Sequence, residues 1–163
     1  MTLSENLLRK LGEQRPTSPG REITHQDEAS GWTVAVTAEQ ADALSCRLRD
    51  LTVRPTVPGP ALDAKALRQK AEAIAANVTG LMEPLRLVEC DDTRREAILR
   101  SDEPAQRGGK RSHYEVRVDG QRTATLRRYQ ADQEPAAKRV QTPFTLTQEV
   151  LGHLVDDLAQ SLS

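Results

Sequence analysis

The stretch 112-SHYEVRVDGQRTATLRRYQAD-132 decides how the rest of the chain is read. It has the pattern of two strands around a turn at Asp119-Gly120. A two-residue turn would split the apolar side chains between the two faces. A three-residue loop moves the register by one and brings Tyr114 and Val116 together with Ala124 and Leu126. A one-residue slip carries every side chain across the sheet, so burial selects the three-residue loop. Gly120 is expected to be left-handed there, forming a bulge. His113, Glu115, Arg117, Thr123, Thr125, Arg127 and Tyr129 then share the outer face.

That outer face is basic. Between Arg107 and Arg139 stand nine Lys or Arg (107, 110, 111, 117, 122, 127, 128, 138, 139) against four Asp or Glu (115, 119, 132, 134). The whole 163-residue chain carries a formal net charge of −1, so the remainder is acidic and any pull on an anion is local.

Upstream of the hairpin, "LRLVECDD" from Leu85 and "REAILRSD" from Arg95 read as two more strands, and "EPAQRGGKR" after them as a loop. Downstream, "RVQTPFTLT" suits an edge strand, because proline cannot donate to a ladder. The chain closes with an amphipathic helix whose Val150, Leu151, Leu154, Leu158 and Leu162 face inward. Residues 63–80 form a further helix, with Asp63 as cap, a stripe of Ala64, Leu67, Ala71, Ile74 and Val78, and Gly80 as a left-handed stop.

Nearer the start, "GWTVAVTA" alternates as a strand from Trp32. Residues 38–51 are ambiguous: Ala41, Leu44, Leu48 and Leu51 form a helical stripe, while Leu44, Cys46 and Leu48 alternate. Helix is preferred, with a second hairpin strand as the alternative. Residues 15–31 are polar and broken by Pro16, Pro19 and Gly20, the composition of a flexible linker. Residues 1–14 hold a short amphipathic helix with Leu3, Leu7, Leu8 and Leu11 on one side and a Thr2/Glu5 capping box.

The expected fold class is therefore α+β: an antiparallel sheet of four to six strands with two or three helices packed on one face. The expected domains are a tail helix (1–14), a flexible linker (15–31) and a single α+β domain (32–163). Only 37% of residues are hydrophobic, with one Trp, two Tyr and one Phe, so Leu, Val and Ala must build the core and a large aromatic-lined cavity is not expected. No signal peptide and no apolar run of about 20 residues occurs, which points to a cytoplasmic protein without a membrane span.

Chemical motifs are sparse. "GGKRS" (108–112) departs from a phosphate loop, with Pro104 at the first glycine position and Arg111 where Ser or Thr would bind magnesium. His153, Asp156 and Asp157 share the polar side of the last helix, and Asp91-Asp92 suits a turn. Cys46 and Cys90 lack the spacing of a metal or redox motif. No catalytic residue, metal ligand or cofactor is assigned.

The function expected is a non-enzymatic protein-binding or adaptor module. Leu3, Leu7, Leu8 and Leu11 of a tethered helix would dock on a protein partner or sister subunit. Lys110, Arg111, Arg117, Arg127, Arg128 and Tyr129 would supply charge and stacking. The alternative is an RNA- or DNA-binding module using Lys110, Arg111, Arg117, Arg127 and Tyr129. A third reading is a small-ligand carrier or enzyme with a pocket between helix and sheet.

Overall fold

A computed structural model of the chain describes residues 1–101, 105–132 and 138–163. Among these residues the elements run α1 (Leu3–Gln14), β1 (Arg21–Asp27), β2 (Trp32–Ala41), β3 (Ser45–Pro55) and α2 (Ala64–Asn77). There follow β4 (Leu85–Asp91), β5 (Glu96–Ser101), β6 (Ala105–Arg107), β7 (Lys110–Asp119) and β8 (Ala124–Asp132), then β9 (Val140–Thr142), β10 (Phe144–Thr147) and α3 (Gln148–Leu162). The expected α+β class with four to six strands and helices on one face is overturned. Among the described residues the molecule is mostly sheet, a ten-stranded antiparallel sheet with three helices, 45% strand and 27% helix.

The central order is β1-β2-β3-β8-β7-β5-β4. The β7–β8 hairpin sits near its middle, in the register that burial demands: Val116 faces Leu126 and Val118 faces Ala124. Asp119 N–H donates to the Thr123 carbonyl, so the loop is the three residues 120–122. The left-handed residue is Arg122 (φ 60), not Gly120 as expected. A type I turn closed by a left-handed third residue is the usual three-residue hairpin. Gly120 has a different task. Its carbonyl accepts the Leu62 N–H at 2.7 Å, and a Cβ there would stand 3.2 Å from Arg95 Cβ.

Parity then propagates through the ladders. Leu51 faces Leu126, Val36 faces Leu51 and Ile23 faces Val36 on one side. On the other side Leu99 faces Val116 and Leu87 faces Leu99. These side chains, with Leu87 partly buried at the edge, join Leu67, Ala71 and Ile74 of α2 and Leu151, Leu154 and Leu158 of α3 in one core cluster.

Five further local expectations are corrected. Residues 38–51 form not a helix but the ends of β2 and β3, with Leu44 exposed in the turn between them. A bulge between Leu48 and Leu51 turns both inward although they are three apart, which imitates helical spacing. The 15–31 segment is not a free linker: it contains β1, paired along its length with β2. Its inward face offers one buried apolar residue, Ile23, too little to register as a period. The expected last edge strand is two short strands broken by Pro143. β9 pairs with β8 and β10 with β3, filling the gap where β3 and β8 diverge. The expected loop after β5 contains β6 and the positive-φ pair Gly108-Gly109, a tight hairpin into β7; residues 102–104 lie outside the described residues. At the other helix end, α2 stops at Asn77 with Val78 as its cap, and Gly80 has no positive φ.

The capping box of α1 forms: Glu5 N–H donates to Thr2 Oγ1, and Thr2 N–H donates to Glu5 Oε2 at 2.7 Å. The helix packs against α3, β1 and β2. Leu7 and Leu11 are fully buried, and Ser4 Oγ donates to Asp156 Oδ2 of α3 at 2.9 Å. Leu7→Ala is expected to cost about 2–5 kcal/mol, read as a lower urea midpoint at unchanged slope. Left-handed backbone strains a non-glycine residue by about 1–2 kcal/mol, more than the ~0.5–1 kcal/mol of extra chain entropy glycine must lose. Arg122→Gly is therefore expected to raise the midpoint slightly.

Candidate binding face

The face of β5, β7 and β8 turned away from the core is built by strand alternation. Arg111, His113, Glu115 and Arg117 alternate along β7. Across the ladders, Glu115 faces Arg127 and Arg100, Arg117 faces Thr125 and Ile98, and His113 faces Tyr129.

Most of these cations are already paired. Glu115, buried to 3% exposure, holds Arg139 Nη1 at 3.0 Å and Arg100 Nε at 3.4 Å. Arg117 Nη1 meets Glu96 at 3.0 Å. The Arg139 guanidinium lies 4.0 Å over the Tyr129 ring, and the His113 ring centroid lies 6.1 Å from that of Tyr129. The exposed Arg117–Glu96 pair contributes roughly 0–1 kcal/mol, whereas buried Glu115 would be costly to leave unpaired. Together these pairs hold the guanidiniums upright over the sheet.

Arg127 differs. Its Nε is covered and has no hydrogen-bond partner among the described residues. Asp50 stands across from it on β3, yet no ion pair forms between them among the described residues. Arg127, Glu115, Arg117, Thr125 and Tyr129 line a shallow depression. At the far end of the hairpin, Lys110 and Arg111 are exposed. A hollow of about 240 Å³ there is lined by Arg100, Ser101, Arg111, His113 and Ala131.

The other expected site residues are placed elsewhere. Arg128 points to the opposite side of β8 from Arg127. Its Nη1 reaches Glu83 at 3.2 Å and its guanidinium covers the Tyr114 ring at 4.4 Å, so it seals the end of the core. Tyr114 meets Phe144 edge-on at 5.6 Å, and burial raises its hydroxyl pKa. Leu3, Leu7 and Leu11 are buried in the chain's own core and Leu8 is partly covered beside it. The structure therefore brings Arg111, Arg117, Arg127 and Tyr129 onto one face, with Lys110 at its end, and separates Arg128 and the leucines from them. The sequence places His113 on this face by alternation but does not single it out as a site residue, and Arg100, on a strand distant in the chain, is not named there at all.

The remaining candidates carry little chemistry. Cys46 donates weakly to the Leu146 carbonyl, and burial pushes its thiol up to about 11, far from a thiolate at neutral pH. Asp91 accepts from the Thr93 and Arg94 N–H groups, as turn use implies. His153 lies 4.0 Å from Glu149 on the exposed side of α3. Lys110 and Arg111 of the "GGKRS" run belong to β7, and Pro104 lies outside the described residues, as does Glu134. A separate hollow of about 330 Å³ lies between the Pro55–Asp63 loop and Gln121 and Arg122 of the hairpin turn. Among the described residues no helix is long and apolar enough to cross a membrane.

Burial, then the nearby Arg100 charge, lower the pKa of His113 below its ordinary 6.5. The unfolded chain thus binds this proton more readily, and stability falls as pH drops from about 6.5 toward the lower folded value. His113→Gln is expected to lose that part of the acid sensitivity, read from denaturant midpoints of the two proteins between neutral pH and pH 5. Compared with known proteins, the chain matches no family model, no curated protein and no solved structure.

Proposed function

We propose that the protein is a non-catalytic binding module whose outer β7–β8 face receives an acidic segment of a protein partner. The observation that carries this reading is Arg127: a guanidinium held half-buried, with a covered and unpartnered Nε, while its neighbours Arg117, Arg100 and Arg139 are anchored by Glu96 and Glu115. With no ion pair among the described residues, the partly exposed Arg127 guanidinium keeps an uncompensated charge that a partner's carboxylate would answer at its open side. The neighbouring Tyr129 ring offers apolar contact beside that charge, and Lys110 and Arg111 extend the positive surface along the strand.

The burial of Leu3, Leu7 and Leu11 shapes the proposal. The N-terminal helix already has its partner in α3 and the sheet, so the module acts through the sheet face alone. A face with anchored guanidiniums binds with little side-chain ordering, which favours affinity from few contacts.

Anisotropy of a labelled poly-glutamate peptide and of a labelled single-stranded oligonucleotide tests this. The peptide is expected to bind the native protein, and Arg127→Ala to weaken it about tenfold or more, the value of one charge-assisted hydrogen bond. Binding of the oligonucleotide alone, with a steep salt dependence, would transfer the face to the nucleic-acid reading. Binding of neither would overturn both.

A further inference from the structure

We infer that the hollow between β5, β7 and β8 is a site for a single phosphate-type oxyanion, on an observation independent of Arg127. The hollow, about 240 Å³, is walled by Arg100 and Ser101 at the end of β5, by Arg111 and His113 of β7, and by Ala131 of β8. Among the described residues no carboxylate lines it. Two guanidiniums and an imidazole line it from two strands, because Arg111 and His113 are two apart on β7 and Arg100, across the β5–β7 ladder from Glu115, lies diagonal to His113 on the same face.

Four features specify the ligand. His113 Nε2 is buried and has no hydrogen-bond partner among the described residues, so one ring nitrogen is dry and uncommitted. Arg111 is exposed and takes part in none of the ion pairs among the described residues, so its planar fork is available. Arg100 is engaged through Nε with Glu115, which fixes the plane of its guanidinium beside the hollow. Ala131, directly across the ladder from Arg111, is small and leaves the floor open. Donors arriving from separate directions suit a tetrahedral group with three terminal oxygens better than a planar carboxylate with two. Burial, then the nearby Arg100 charge, lower the His113 pKa; a neutral ring carrying its proton on Nε2 has a donor to offer a phosphate oxygen once a turn of the ring uncovers that nitrogen toward the hollow.

The source of the oxyanion is either a free phosphate or phosphate monoester, or a phosphorylated side chain of a partner. The test uses the full chain, labelled with ¹⁵N, titrated with inorganic phosphate against sodium chloride of equal ionic strength. Saturable shifts of the His113 ring nitrogens and a rise in its pKa are expected with phosphate and not with chloride. Arg111→Ala, a change at an exposed position, is expected to weaken phosphate about tenfold to a hundredfold. Arg127→Ala is expected to leave phosphate binding unchanged, which separates this site from the peptide-binding reading. A phosphoserine peptide that competes below the concentration of free phosphate would assign the source to a partner's side chain; one that competes no better would assign it to a small molecule. Absence of a saturable shift at His113, or equal affinity in Arg111→Ala, overturns the inference.

Discussion

The register of the β7–β8 hairpin is the constraint from which the rest of the molecule follows. The three-residue loop at 120–122 sets Val116 opposite Leu126 and Val118 opposite Ala124. Because side chains alternate along every strand, this single choice is inherited by β3 on one side and by β5 on the other. The loop is held at both ends. Asp119 Oδ1 accepts from the Gln121 and Thr123 N–H groups, and the Gly120 carbonyl accepts from Leu62 just ahead of α2. The turn that orients the central strands therefore also positions the helix that covers them.

The same register sorts the arginines. Alternation sends Arg117 and Arg127 to the open face, and Arg128, one residue on, toward Tyr114 and Glu83. Buried Glu115 then organises the open face, since one carboxylate anchors guanidiniums from β5 and from the segment ahead of β9. Much of the positive charge in this region is internally compensated. On this face, among the described residues, Arg127 Nε and His113 Nε2 are left without partners, with the exposed Arg111 close to His113.

The N-terminal helix illustrates how one pattern serves two ends. A leucine stripe of a dozen residues needs an apolar cover, and the stripe is silent on whether that cover is the chain itself or another molecule. Here β1 turns the intervening segment into an edge strand, and Lys10 Nζ donates to the Thr24 carbonyl at 2.9 Å. With that strand in place the helix lies close to α3, where Leu8 sits beside Gly152, and its leucines complete the core.

Local chemistry was legible in the sequence wherever the signal was dense: the Thr2/Glu5 box, the Asp63 cap, the stripe of α2 and the odd-length hairpin loop all rest on neighbours within a few residues. Elements whose evidence lay in distant partners were not. β1 has one buried apolar residue and exists through its ladder with β2; β3 carries a bulge that imitates a helix; β9 and β10 are too short to show a period and form because β3 and β8 diverge. For the candidate face, the sequence by itself determined which side chains share a side of β7 and β8, since alternation is a property of the extended backbone. Only the tertiary structure decided which of those charges are neutralised and which stay available, because that depends on where Glu96 and Glu115 stand across strands distant in the chain.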